Sequence, residues 1–330
     1  MKKIGVLGAG AWGTALAAAA LKAGRETILW AREADVVYAV NKNHENSIFL
    51  PGVALDNKLR ATGDLADLSD CDAVLIVSPA QHLRSMSKSL STHIKKSAAM
   101  VICSKGIEVS TGKLLSDVLR ETTPDNPVAV LSGPTFAAEV ARGLPCALTL
   151  ACEDARVGNA LVEALGHSMF RPYYNDDIIG AQIGGAVKNV LAIATGIVAG
   201  LGIGENARAA VITRGLAEIV RFGGLYGARQ ETLMGLSGLG DLILTCSSTQ
   251  SRNMSLGKAI GEGRTFADIM AERNSVAEGA HTVEIVYKIA VEKGLDMPIT
   301  AAVFKILKEG ADVRRVTEGL LSRPFTAESI

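Results

Sequence analysis

Two lysines, an aspartate and an arginine stand where their types and spacing invite chemistry. Lys188 lies in Gly184-Gly185-Ala186-Val187-Lys188-Asn189, inside a helical stretch otherwise nearly free of charge. Gly184, Lys188, Ala192 and Thr195 share one face at that spacing. A lysine on such a face must snorkel, pair or act, and burial would lower its pKa toward acid–base work. Lys105, in Ser104-Lys105-Gly106, follows an apolar run; there it can neutralise a phosphate, polarise a carbonyl or simply be a surface lysine. Asp241 closes the glycine-rich turn Met234-Gly235-Leu236-Ser237-Gly238-Leu239-Gly240. It can pair with a lysine, bind a substrate hydroxyl or cap a helix. Ser251-Arg252-Asn253 opens a helical pattern, where a guanidinium and free N–H groups suit a phosphate; an N-cap beside a surface arginine fits equally. The five histidines show no H-x-x-x-H or H-E-x-x-H spacing, which argues against metal catalysis. No G-x-S-x-G supports a serine nucleophile.

The elements that would position these groups begin at the first residues. Ile4–Leu7 is a short apolar run ending in Gly8-Ala9-Gly10-Ala11-Trp12-Gly13. An Ala-rich helical stretch follows to Gly24, then a second apolar run, Thr27–Trp30. Strand, glycine turn, helix and strand form the context that a G-x-G-x-x-G dinucleotide fingerprint requires. Gly8 permits the tight turn, Gly10 lets a pyrophosphate approach the backbone, and Gly13 lets the helix pack on the strand. The opening Lys2-Lys3 and the alanines also resemble a secretory signal, but three glycines interrupt the apolar region and a strand follows at once.

Strand-like runs recur at Ala73–Val77, Met100–Cys103, Val128–Leu131, Ala147–Leu150 and Met169–Tyr174, with helical patterns such as Gln81–Leu90, Gly112–Arg120 and Asp154–Leu165 between them. That alternation predicts a doubly wound, mostly parallel α/β sheet of Rossmann type over residues 1–175. From Asn175 onward the pattern is helical only, predicting an all-α substrate and catalytic domain over residues 176–330. The long helix of that half is expected over Asp177–Gly200, and no uninterrupted apolar run reaches membrane-spanning length. The chain has 34 basic and 34 acidic residues, so nothing draws it generally toward nucleic acid. Five scattered cysteines without C-x-x-C fit reduced thiols in a cytoplasmic protein and no zinc site.

An acid closing the second strand would bind the ribose 2′-hydroxyl of NAD; here Arg32 stands there, followed by Glu33. Arg32 can meet a 2′-phosphate, stack on adenine or sit in solvent, so the site tolerates NADP as well as NAD. Ser132-Gly133-Pro134-Thr135-Phe136 follows the Val128–Leu131 strand; Gly133 allows close approach and Pro134 suits the first turn of a helix. Val276-Ala277-Glu278-Gly279 is a polar turn without an independent signal.

These motifs, with Ser104-Lys105-Gly106-Ile107-Glu108, Gly238-Leu239-Gly240-Asp241 and Gln250-Ser251-Arg252-Asn253, occur in one order over essentially the whole chain. Together they resemble the bacterial-type NAD(P)-dependent glycerol-3-phosphate dehydrogenases. The resemblance implies reversible hydride transfer between dihydroxyacetone phosphate and sn-glycerol 3-phosphate, with NADP or NAD as cofactor, supplying the phospholipid backbone in the cytoplasm. It implies that Gly8, Gly10, Ala11, Trp12, Gly13, Arg32, Lys105, Ala137, Arg252, Val276 and Glu278 bind the cofactor. Lys105, Gly133, Thr135, Lys188, Asp241, Ser251, Arg252 and Asn253 would line the substrate, with Lys188 as acid–base residue. Ala11 stands where many relatives carry serine, so a hydroxyl contact to the pyrophosphate is missing. A homodimer is expected, with neither nucleic acid nor membrane insertion. Another two-domain keto- or hydroxy-acid reductase and a non-catalytic dinucleotide sensor are the competing readings.

Overall fold

The computed structural model describes residues 1–272 and 277–324. The chain divides into two compact units. The first holds Met1–Ser104 and Leu114–Ile178; the second holds Lys105–Lys113 and the chain from Ile179 onward.

In the first unit the apolar runs pair into one sheet. Its strands are β1 (Lys3–Leu7), β2 (Glu26–Trp30), β5 (Arg60–Thr62), β6 (Ala73–Ile76), β7 (Ala99–Ile102), β8 (Val128–Ser132), β9 (Cys146–Cys152) and β10 (Phe170–Asn175), with β3 (Glu45–Asn46) and β4 (Leu50–Ala54) forming a separate antiparallel hairpin. The order across the sheet is β10-β9-β8-β7-β6-β1-β2-β5. Every pairing is parallel except β8 with β9. Each residue of β6 and β7 is buried, the mark of strands covered on both faces, and it explains why these runs read as continuous rather than alternating. The helices of this unit are α1 (Ala11–Lys22), α2 (Ala34–Tyr38), α3 (Leu83–Ser91), α4 (Leu115–Thr122), α5 (Ala137–Ala141) and α6 (Ala155–Leu165). The hairpin, β5 and α2 lie outside the sequence expectation; they are short, and β4 contains Pro51 and Gly52, which hide a strand pattern. Pro134 does not open a helix as expected: α5 starts at Ala137 with Phe136 as its N-cap.

Beyond the Lys105–Lys113 loop, the named elements among the described residues of the second unit are helices: α7 (Ile178–Gly200), α8 (Glu205–Gly224), α9 (Gln230–Leu233), α10 (Asp241–Cys246), α11 (Arg252–Gly261), α12 (Phe266–Glu272), α13 (Gly279–Lys293), α14 (Pro298–Lys308) and α15 (Val313–Leu321). At 23 residues, α7 is long and apolar enough by composition to cross a bilayer, although Gln182, Lys188 and Asn189 interrupt its apolar run, and it is buried inside the protein as a core helix. It meets α11 backbone to backbone: a Cβ on Gly257 would collide with the Ile193 carbonyl, and one on Gly196 with that of Met254. This contact brings the start of α11 against the middle of α7.

Candidate active site

Lys188 stands in the middle of α7 and is 5% exposed. Its Nζ donates to Asp241 Oδ1 at 2.5 Å and to Thr245 Oγ1 at 2.6 Å. Asp241 and Thr245 are four residues apart on α10 and so share a face. The second carboxylate oxygen, Oδ2, accepts from Lys105 Nζ at 2.6 Å. One buried carboxylate therefore holds two ammonium groups, and the cluster carries net positive charge. Burial pushes the Lys188 ammonium down to about 8, against the opposing pull of Asp241 and with the help of the Lys105 charge. An ammonium has three N–H groups; two are engaged within this cluster, which leaves one for a ligand oxygen.

Local backbone geometry builds this arrangement. Leu236–Gly240 forms a single π-type turn that runs directly into α10. A Cβ on Gly184 would come within 2.6 Å of the Ser237 carbonyl, so the glycine in α7 makes room for this turn. Asp241 is the first residue of α10, with Gly240 at the N-cap, so the carboxylate binds lysines rather than serving as the cap. The sequence reading did not single out Thr245. Its signal is the i, i+4 spacing from Asp241 on one helix.

The start of α11 is tied to the same region. Asn253 donates to Asn189 Oδ1 at 3.0 Å and accepts from the Gly279 N–H at 3.0 Å, linking α7, α11 and the start of α13. Ser251 is the N-cap of α11, its Oγ accepting from the Met254 N–H at 3.2 Å. Arg252 is the first helical residue and is exposed. Glu278 occupies the N-cap position of α13, and Val276 lies outside the described residues.

In the first unit each fingerprint glycine meets its own physical demand. Gly8 has φ +116°, a conformation that side chains rarely adopt. A Cβ on Gly13 would collide with the Gly8 carbonyl, so α1 packs on the turn as closely as the motif requires. The position of a Cβ on Gly10 meets no atom within 4 Å. Gly10 is the N-cap of α1, with Ala11 and Trp12 as the first helical residues, whose N–H groups have no intrahelical partner. An open cradle at a helix N-terminus fits a pyrophosphate. Arg32 is exposed beyond β2 and pairs with Glu33, Nη2 to Oε1, at 2.9 Å.

Two residues expected at the substrate have structural explanations as well. A Cβ on Gly133 would lie 2.7 Å from Leu148 Cα, so β9 approaches the backbone closely there. Thr135 Oγ1 donates to the Gly133 carbonyl at 3.3 Å, and Ala137 opens α5. Gly133, Thr135 and Ala137 belong to the first unit, whereas Lys105, Lys188, Asp241, Ser251, Arg252 and Asn253 belong to the second. Among the described residues, no group of three or more His, Cys, Asp or Glu side chains could hold a metal ion.

Comparison with known proteins gives a consistent result along the chain. The family model of the NAD-dependent glycerol-3-phosphate dehydrogenase N-terminus matches residues 3–158, and that of the C-terminus matches residues 177–318. A glycerol-3-phosphate dehydrogenase (NAD(P)+) of Parvibaculum lavamentivorans is 58% identical over 328 residues, spanning 99% of this chain and 98% of that protein. One from Erythrobacter litoralis is 56% identical over 326 residues, spanning 99% and 98%. The crystal structure of a glycerol-3-phosphate dehydrogenase from Coxiella burnetii aligns with TM-score 0.93 and 39% identity, covering 98% of this chain and 99% of that one.

Proposed function

The chain belongs to the family of NAD-dependent glycerol-3-phosphate dehydrogenases, and from that premise we propose how its own residues serve the reaction. The reaction is the reversible NAD(P)-dependent reduction of dihydroxyacetone phosphate to sn-glycerol 3-phosphate, the backbone unit of phospholipids. A nicotinamide dinucleotide held on the fingerprint turn would supply hydride for the substrate carbonyl carbon. As the carbonyl oxygen becomes an alkoxide, Lys188 places its remaining N–H on it and donates the proton. Asp241 keeps Lys188 protonated and oriented, Thr245 fixes the direction of the ammonium, and Lys105 adds positive charge where negative charge develops. Arg252 and the N–H groups at the start of α11 hold the substrate phosphate, aided by Ser251 and Asn253, and this remote binding orients the reacting carbon. Gly133 and Thr135 complete the substrate site.

Gly8, Gly10, Ala11, Trp12 and Gly13 hold the pyrophosphate on backbone groups. Arg32 reads the adenosine ribose, and Lys105, Ala137, Arg252, Val276 and Glu278 complete the cofactor set. We place the enzyme in the cytoplasm as a homodimer. The observation that carries this reading is the buried Asp241 carboxylate shared between Lys105 and Lys188. The test is to assay dihydroxyacetone phosphate with NADH and with NADPH, beside a keto acid of similar size. Turnover of the keto acid in preference to the phosphorylated ketone would overturn it.

A further inference from the structure

Asn46 lies in β3, outside every motif considered above, and is 1% exposed. Its amide orientation is settled by its partners. Oδ1 accepts from the Phe49 N–H at 3.1 Å, across the tip of the β3–β4 hairpin. Nδ2 donates to the Ala9 carbonyl at 2.8 Å and to Thr14 Oγ1 at 2.8 Å. Thr14 Oγ1 in turn donates to the same Ala9 carbonyl at 3.3 Å. The Ala9 carbonyl is thus gripped by two buried donors, one from the hairpin and one from α1. Both of its lone pairs are used.

Ala9 sits between the first two glycines of the fingerprint, so its carbonyl shares a peptide plane with the Gly10 N–H. In a planar trans peptide the C=O and N–H point in opposite directions. Holding the carbonyl inward therefore aims the Gly10 N–H outward, at the exposed side where a Cβ would meet nothing. Gly10 on one side of this peptide has wide conformational freedom, and Gly8 lies just one residue before it, so the turn needs an external clamp to stay in one orientation. Donors already in place bind an anion without spending affinity on ordering.

We propose that Asn46, with Thr14, is a positioning pair for pyrophosphate binding: the two fix the Ala9–Gly10 peptide so that the Gly10 N–H faces the cofactor. The inference rests on the dinucleotide reading of the fingerprint. It also gives the β3–β4 hairpin a role, since the hairpin carries Asn46 to the turn.

The experiment measures binding of ADP-ribose and of adenosine, the latter by competition with NADH, in the wild type, Asn46→Asp and Thr14→Val. Asn46→Asp keeps the acceptor for Phe49 but turns a carboxylate toward the Ala9 carbonyl. Thr14→Val keeps the shape and removes one donor, and it serves if the first variant folds poorly. ADP-ribose affinity should fall about tenfold in Asn46→Asp and less in Thr14→Val, with adenosine affinity unchanged. In turnover, KM for the dinucleotide should rise while kcat and the KM for dihydroxyacetone phosphate hold. Unchanged ADP-ribose binding alongside a lowered Tm would make the clamp merely structural and overturn the proposal. Equal loss of adenosine binding would overturn it too. Failure of the wild type to bind ADP-ribose would instead sink the dinucleotide reading itself.

Discussion

Asp241 holds the Lys188 ammonium at 2.5 Å in a place where both side chains are nearly closed to water. Burying one charge alone would be strongly unfavourable. Here a carboxylate faces two ammonium groups, so the lysine stays charged while burial brings its pKa down to about 8. That combination gives a proton donor able to work near neutral pH.

Lys188→Ala should nearly abolish turnover and leave dinucleotide affinity largely intact. Loss of a proton donor lowers kcat by roughly 10²–10⁴-fold. Steady-state kinetics together with a binding titration for NADPH would check it. A variant that kept more than about a tenth of wild-type kcat would remove Lys188 from the role.

Asp241→Asn tests the same pair through pH. Lys188 must carry its proton to act as acid in ketone reduction, so wild-type kcat should fall as pH rises through about 8. Asp241 raises the Lys188 pKa, while Lys105 lowers it. Without the carboxylate only the lowering influences remain, and the limb should move to lower pH. A pH–rate profile in the reducing direction reads this directly. A limb that stays in place would belong to some other group.

Much of the first unit was legible because central strands such as β6 and β7 are buried on both faces and several runs are followed at once by glycine or serine. Ile4–Leu7, Thr27–Trp30 and Val128–Leu131 all became strands with ends shifted by a residue or less. What hid was short or antiparallel: β8 and β9 run opposite ways, and no periodicity distinguishes that from a parallel pair. The Lys188 helix was legible from its lone charge. The reason for its glycines was not legible, because Gly184 answers to the Ser237 turn 53 residues on, a contact that sequence spacing cannot display. Thr245 and Asn46 were missed for the same reason. Each acts through a hydrogen bond between elements far apart in the chain.

Gly257→Ala should destabilise the second unit. A methyl group there would be driven into the Ile193 carbonyl, and neither backbone can yield without separating α7 from α11. Overpacking of this kind lowers stability by about 1–3 kcal/mol, occasionally more. Urea unfolding should show a lower midpoint, and because Asn253 rides on α11, KM for dihydroxyacetone phosphate should rise as well. An unchanged midpoint would mean that the helices are not held at backbone contact.

Arg32→Ala should weaken NADPH more than NADH. The guanidinium stands exposed just past β2 and pairs with Glu33, so it is available to a 2′-phosphate at little desolvation penalty. Arg32→Glu should exaggerate the difference. Comparing KM for both cofactors in each variant decides it. Equal changes would mean that Arg32 touches a part common to the two.

Arg252 sits at the first position of α11, where helix N–H groups and a guanidinium can converge on one anion. If it binds the substrate phosphate, its energy is used at a distance from the reacting carbon. Arg252→Ala should then lower kcat/KM for dihydroxyacetone phosphate by roughly ten- to hundredfold, since a charge-assisted contact is worth about 1.5–3 kcal/mol. Unphosphorylated dihydroxyacetone never used the contact, so the variant should lose far less against it. The α11 helix itself should survive, because Ser251 caps it and Asn253 ties it to Asn189 and Gly279. Equal losses with both ketones would place Arg252 in the service of the fold or the cofactor, and the phosphate would have to be held elsewhere.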